Sequence, residues 1–322
     1  MNDEIISLVR KIKPFAEPKD LMPLEGGFSS QAYKVDLDND PFVILVEKTG
    51  AVGKVDYVNL FLILTLLENH GYKYSPKPIW LKDDHQAMAI SYFDGIAGDK
   101  FNFNKINSED LAVKVTDALI DTESISLDEY NELAVQFNVS QNPIQTTQEG
   151  AQIYGKEWFE IVKKSCPDID IINWLEPRVE RSMQLANKLG NHQPTFGHGD
   201  PSNPNILINK KSNFMLIDWD SARFHTSGPE FYVAYTTHLT DFMEPHRNKL
   251  IKHVASRLNI SDEEFANRVN EYRIFTEVFD VNWAAMMMAK VNVGDADGDI
   301  DSFRKIANER IRLYDHDFGT TL

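Results

Sequence analysis

Gly197-His198-Gly199-Asp200-Pro201-Ser202-Asn203-Pro204-Asn205 and, shortly after it, Ile217-Asp218-Trp219-Asp220 decide the reading of this chain. Two apolar runs join them, Asn205-Ile206-Leu207-Ile208-Asn209 and Phe214-Met215-Leu216-Ile217-Asp218, separated by the polar stretch Lys210 to Asn213. That pattern spells a tight β-hairpin. A hairpin turns the chain back on itself, so Asp218 is expected beside Asn205. Asp218 closes an apolar strand, where a carboxylate has little reason to sit unless it binds something. Phosphoryl transfer needs such a set: a group that orients the attacking hydroxyl and accepts its proton, and neutralisation of the phosphate charge. Mg²⁺ takes oxygen ligands, commonly one or two side chains plus phosphate oxygens and water. A loop bearing Asp200 and Asn205 can supply a proton acceptor and an amide oxygen. Singly, each residue is also ordinary loop material, since Asp and Asn cap turns and a lone His198 is more often a packing residue. The weight lies in the combination.

Composition narrows the partners. The chain has 322 residues, a formal net charge of −16, 42% hydrophobic and 25% charged residues. These proportions are those of a globular protein, and the length suggests about two lobes. So acidic a chain repels phosphate backbones, which disfavours nucleic-acid binding, and attracts cations. The longest strongly apolar stretch is Leu60 to Leu67, far short of the ~20 residues that span a bilayer, so no membrane partner is expected. The start Met1-Asn2-Asp3-Glu4 is acidic where a secretory signal is basic, and Cys166 is the single cysteine. Both fit a reducing cytoplasm. Asn138-Val139-Ser140 is therefore not expected to be glycosylated.

The pattern His-Gly-Asp, four residues, Asn, then Ile-Asp-Trp-Asp resembles the aminoglycoside phosphotransferase and choline kinase superfamily, whose fold is protein-kinase-like. The resemblance implies an α+β, two-lobed architecture: a small β-rich N-lobe over residues 1–93, a connector near 91–96 and a larger, mainly helical C-lobe over 94–322. It implies ATP or GTP as donor, with Mg²⁺, and a small-molecule hydroxyl as acceptor. Asp200 is then the base or hydroxyl-orienting residue, His198 supports the catalytic loop, and Asn205 and Asp218 are the Mg²⁺ ligands. After Asp218 the family often places an Asp that steadies this loop. Here Ser227-Gly228-Pro229-Glu230-Phe231-Tyr232-Val233-Ala234 has Tyr232 at that place, with Glu230 as an alternative.

The N-terminal third supports the resemblance. Leu24 to Val35 looks like the family's first hairpin, in which Gly26 and Gly27, with Phe28 and Ser29, let backbone N–H groups face nucleotide phosphates. Strands are expected over Ala32–Leu37, Phe42–Val46 and Gln86–Ile90, and a helix over Tyr57–Asn69 ended by Gly71. Lys48 is the candidate phosphate-binding lysine, with Lys54 as competitor. For its acidic partner, Asp56 and Glu68 both sit away from the expected place, and that role stays open. Ser91, Tyr92 and Phe93 occupy the connector that would hold the nucleotide base.

The acceptor pocket is expected in the helical part. Along Glu271 to Val291, Glu277, Asp280 and Trp283 or Ala284 share a helical face, and the two carboxylates and the aromatic, together with Asp220, suit a cationic amine such as an aminoglycoside or choline-like compound. The competing reading of that helix is plain core. Asp295 to Asp301 starts like a calcium loop but has Ile300 and Ile306 at positions that need Gly and Glu, so a solvated acidic loop is expected. The alternative function is a nucleotide-binding regulatory protein with a degenerate site. A protein acceptor is disfavoured, because the chain has no Asp-Phe-Gly or Ala-Pro-Glu stretch.

Overall fold

The computed structural model describes residues 2–14, 20–24, 30–37, 40–48, 55–139, 143–189 and 192–318. The expected phosphate-covering residues Gly26, Gly27, Phe28 and Ser29, and the competitor Lys54, lie outside the described residues. In chain order the strands are β1 (Asp20–Leu24), β2 (Ser30–Asp36), β3 (Phe42–Glu47), β4 (Pro78–Leu81), β5 (Ala87–Ser91), β6 (Ile96–Ala97), β7 (Ile144–Gln145), β8 (Thr195–Gly197), β9 (Ile206–Ile208), β10 (Phe214–Leu216) and β11 (Arg223–His225). The helices are α1 (Asn2–Ile12), α2 (Tyr57–Asn69), α3 (Ser108–Asp121), α4 (Leu127–Phe137), α5 (Thr147–Gly150), α6 (Trp158–Ser165), α7 (Ile169–Lys188), α8 (Pro229–Leu239), α9 (Arg247–Leu258), α10 (Asp262–Val293) and α11 (Ile300–Phe318). Among the described residues no helix is long and apolar enough to cross a membrane.

The chain divides into two compact units, each built from separated segments. The first holds Met1–Phe101, Ile125–Gln141 and Pro204–Ala222. Its main sheet is antiparallel throughout, in the order β1-β2-β3-β5-β4. β3 is the central strand, and its run Phe42, Val43, Ile44 is buried on both faces. β2 alternates, with Tyr33 and Val35 inside and Lys34 over the Tyr92 ring at 4.5 Å. Ile5, Leu8 and Val9 of α1, spaced one helical turn apart, close one side of this core against Tyr33, Val35, Phe42, Ile44 and Ala89. Each such buried side chain contributes about 1.5–3 kcal/mol relative to its exposed state.

α2 starts where Asp56 accepts from the backbone N–H of Val58 and Asn59, and it ends in a paired C-terminal motif. The Tyr72 N–H donates to the Leu67 carbonyl and the Gly71 N–H to that of Glu68, both at 2.9 Å, with Gly71 at φ +78°. This is the glycine stop expected from the sequence. The chain beyond it anchors a second, three-stranded sheet ordered β10-β9-β6. The Leu216 N–H donates to the Tyr74 carbonyl, Tyr74 stacks on Phe214 at 4.6 Å, and Trp219 meets Tyr72 edge-on. The β9–β10 turn is held by the Asn209 side chain, which accepts from the N–H groups of Lys211 and Asn213.

The second unit holds Asn102–Ser124, Asn142–Asn203 and Arg223–Leu322. Its small sheet is ordered β7-β11-β8, with β11 parallel to β7 and antiparallel to β8. α10 runs through its middle and packs on α6, α7, α8, α9 and α11. This explains why α10 is apolar over so much of its circumference, with Phe265, Val269, Val278, Val281, Ala285 and Met288 all buried. Residues Ala151–Glu157 form a π-helical stretch between α5 and α6. The Asn282 side-chain amide of α10 donates to its Tyr154 and Gly155 carbonyls at 2.7 and 2.8 Å. The acidic stretch after α10 is the cap of α11: the Asp299 carboxylate accepts from the N–H groups of Asp301 and Ser302.

Candidate active site

In the second unit β8 delivers the loop that carries Asp200. Phe196 is buried edge-on against Phe224 of β11, which pins the strand. Gly197 is required by its neighbour: a Cβ there would lie 1.4 Å from the Tyr232 hydroxyl oxygen. Tyr232, at the sequence position where the resemblance implies an Asp, therefore packs against the strand that leads into the loop. Burial pushes its hydroxyl far above the ordinary range. The alternative, Glu230, is buried as well, but it pairs with Arg268 of α10 at 3.0 Å.

His198 is fully buried, and its Nδ1 accepts from the Asp200 backbone N–H at 3.3 Å, so that nitrogen carries no proton. Gly199 between them takes φ +84°, a left-handed conformation that glycine adopts without steric cost. The half-buried Asp200 carboxylate is held from α8, where the Tyr235 hydroxyl donates to Oδ1 at 2.9 Å. Sequence reasoning missed Tyr235, because nothing in its local pattern separates it from the other aromatic residues of α8.

In the first unit the hairpin joins the other two candidates. The Ile217 N–H donates to the Asn205 carbonyl at 2.9 Å, which brings Asn205 alongside the residue that precedes Asp218. Asn205 is buried and Asp218 exposed. Asp218 sits at φ 63°, ψ 56°, a left-handed conformation uncommon outside glycine and asparagine. Such outliers cluster at functional sites, where surrounding structure maintains them. Asp220, exposed, accepts from the Ser221 hydroxyl at 3.3 Å.

The remaining nucleotide candidates of this unit are spread along its sheet. Lys48 is exposed, one residue past the end of β3. Asp56 serves as the α2 cap and Glu68 pairs with Lys77 at 3.4 Å. Ser91 spends its hydroxyl and its N–H on Lys77, whose N–H donates to Oγ and whose carbonyl accepts from Ser91, both at 2.9 Å. The Tyr92 hydroxyl donates to Asp94 at 3.3 Å, and the Phe93 ring lies against Gly95.

The profile of the phosphotransferase enzyme family matches residues 20–258. The chain belongs to the phosphotransferase enzyme family. It is a small-molecule phosphotransferase with a kinase-like fold. Solved structures agree with that fold. Spectinomycin phosphotransferase in complex with ADP and spectinomycin is 17% identical, with a TM-score of 0.67, over 95% of this chain and 93% of that one. An aminoglycoside 2'-phosphotransferase in complex with GDP is 14% identical, with a TM-score of 0.68, over 98% of each chain. The choline kinase LicA from Streptococcus pneumoniae is 15% identical, with a TM-score of 0.64, over 96% of this chain and 98% of that one. No curated protein matches the sequence.

The family match ends at the close of α9, so α10 and α11 of this phosphotransferase lie beyond it. There the structure places the sequence candidates Glu277 and Asp280 in an internal cluster of acidic and basic side chains. Glu277 is 1% exposed, 3.0 Å from Arg273 and 3.7 Å from His238. Asp280 is 2.7 Å from Arg310 of α11 and 3.3 Å from His238 of α8. Trp283 packs edge-on against Phe303 at 5.8 Å. Asp220 belongs to the first unit and these three residues to the second.

The cluster makes the stability of this phosphotransferase depend on pH. Burial pushes the Glu277 carboxyl from 4.5 up to about 8, against the opposing pull of Arg273. Burial likewise holds His238 below the ordinary histidine range, against the pull of Asp280. Between about pH 4.5 and 8 the folded protein keeps a Glu277 proton that the unfolded chain has lost, so this contribution to stability falls as pH rises. Glu277→Gln has no such proton. Relative to that variant, the wild type is expected to lose up to ~1.4 kcal/mol per pH unit across the window and nothing further above it. Melting curves of the two proteins across that range check this, and a constant difference between them would overturn it.

Proposed function

We propose that this phosphotransferase moves the γ-phosphoryl group of ATP or GTP to a hydroxyl of a small molecule, with Mg²⁺ as cofactor. The observation that carries the reading is the loop at Asp200: a buried histidine fixes its backbone and a helix tyrosine fixes its carboxylate. A carboxylate so constrained suits a group that must meet one hydroxyl in one orientation. Asp200 takes the acceptor hydroxyl proton as the acceptor oxygen bonds to the γ-phosphorus. The bond from that phosphorus to the bridging oxygen breaks, and the nucleoside diphosphate leaves. The transition state is loose, so positioning and charge neutralisation account for most of the rate.

Asn205 and Asp218 would hold the Mg²⁺. Among the described residues no group of three or more His, Cys, Asp or Glu side chains could hold a metal. An amide and a carboxylate oxygen are nonetheless the donor set this ion takes when phosphates and water complete it. Bound there, the ion would neutralise phosphate charge. Gly26, Gly27, Phe28 and Ser29 are proposed to cover the phosphates, Lys48 to contact them, and Ser91, Tyr92 and Phe93 to meet the base, with nucleotide binding in residues 1–93 and the acceptor in 94–322. The bound ADP and GDP of the spectinomycin and aminoglycoside enzymes support a nucleotide donor. A net charge of −16 and the exposed Asp220 support a cationic acceptor. Glu277 and Asp280 already face Arg273, Arg310 and His238, so the reading does not lean on them. The single cysteine supports a cytoplasmic setting.

Thermal melting with Mg²⁺ plus ATP, and with Mg²⁺ plus GTP, tests the donor. A nucleotide at 100 times its dissociation constant stabilises by about 2.7 kcal/mol, a readable shift. The preferred nucleotide then enters an ADP- or GDP-release screen of amines, amino alcohols and sugars. A Mg²⁺-dependent shift followed by acceptor-dependent release is expected. Saturating nucleotide without a shift, and without release from any acceptor, would overturn the reading.

A further inference from the structure

The Asp200 carboxylate takes a hydrogen bond from outside its own loop. The bond from the Asp200 N–H to His198 Nδ1 holds the backbone, but the terminal torsion of an aspartate is broad and two-fold. Nothing in that bond sets the plane of the carboxylate. The Tyr235 hydroxyl does, from an element 35 residues further along the chain. We infer that Tyr235 is a positioning residue for phosphoryl transfer, which sets the plane of the Asp200 carboxylate before the acceptor arrives.

Three features suit Tyr235 to the task. It sits in the middle of α8, so helix geometry fixes its backbone. Its ring packs against Phe231, one turn earlier on the same helix, with centroids 5.4 Å apart. A tyrosine has only two side-chain torsions, so little freedom is left once the ring is packed. Its hydroxyl is also held as a donor. Burial first, and then the neighbouring Asp200 and Asp280 carboxylates, push it well above the ordinary tyrosine range, which favours the protonated form. An O–H has one proton to give, and here Asp200 Oδ1 receives it.

The inference rests on the hydroxyl-orienting role given to Asp200 above. The test uses the full chain with Mg²⁺ and ATP or GTP, and follows diphosphate release with water, kanamycin, spectinomycin or choline as acceptor. Asp200→Asn, Tyr235→Phe and the double variant are compared. Tyr235→Phe is expected to lower kcat roughly 10–100-fold, the scale of a reacting group displaced by a fraction of an ångström to an ångström. Its nucleotide KM and melting temperature should stay near wild type. In the Asp200→Asn background the same change should cost less than about 2-fold, because a residue acting through Asp200 has nothing left to position. If Tyr235→Phe does not fold, Tyr235→Met, of similar volume without the hydroxyl, takes its place in the cycle. A tyrosine variant with kcat near wild type, while Asp200→Asn loses turnover, overturns the inference and leaves the role of Asp200 standing. Losses that multiply in the double variant overturn it in the same way. Release that does not depend on Asp200 overturns both.

Discussion

An Asp200→Asn variant is expected to lose about 10³-fold in kcat, within the 10²–10⁴-fold range for removal of a positioned acid or base. That corresponds to about 4 kcal/mol of transition-state stabilisation. The substitution is nearly isosteric, and the amide oxygen can still accept from Tyr235. The His198 contact is made by the backbone N–H, which asparagine retains. The fold should therefore be unchanged, and so should the melting temperature. The nucleotide KM should also hold, since the proposed role of Asp200 concerns the acceptor. Steady-state kinetics with an acceptor from the screen, together with a melt, are the measurements. A kcat within about 3-fold of wild type would remove Asp200 from the mechanism.

Asp218→Asn is expected to abolish most of the Mg²⁺-dependent stabilisation by nucleotide. The backbone decides the choice of variant. Asp218 stands at φ 63°, a region that asparagine enters readily and most other residues do not. Asparagine thus keeps the turn and the Trp219 packing beyond it while removing the negative charge that a Mg²⁺ ligand needs. Without ligand, the variant should melt with the wild type. With Mg²⁺ and nucleotide at a concentration giving wild type its ~2.7 kcal/mol, the variant should gain only a small part of that. Equal shifts in the two proteins would exclude Asp218 as a metal ligand. A lower melting temperature without ligand would instead locate the effect in the turn itself.

Much of the fold was legible from local pattern. The alternation in β2, the continuous apolar run of β3 and the capped helix from Tyr57 to Gly71 all obey rules that act within a few residues. The edge strands β1 and β4 were not legible. Each contains a proline, Pro23 and Pro78, which breaks the usual strand signature. Both lie at the margins of the sheet, where a missing N–H can face away from the ladder. The short strands β6, β7, β8 and β11 exist because a partner strand completes their hydrogen bonds, and unlike β9 and β10 they stand in no apolar run paired across a turn that would announce them.

The candidate site divides along the same line. The residue types and spacing from Gly197 to Asp220 are a property of the chain alone, and they were sufficient to indicate the family. The sequence likewise determined the glycine needed at 199 and the hairpin that leads to Asp218. Tertiary structure decided what holds Asp200. Tyr232 and Tyr235 come from α8, more than thirty residues away, and which of its aromatic residues turns toward the loop depends on how that helix packs on α10. It also decided the state of Glu277 and Asp280. From sequence they are two carboxylates on one helical face, read as acceptor pocket or as core, whereas in the fold they meet Arg273, Arg310 and His238. The reason is physical: a charge is defined by its chain position, but its energy depends on the opposite charges and the solvent around it, and for Asp280 those come from other helices.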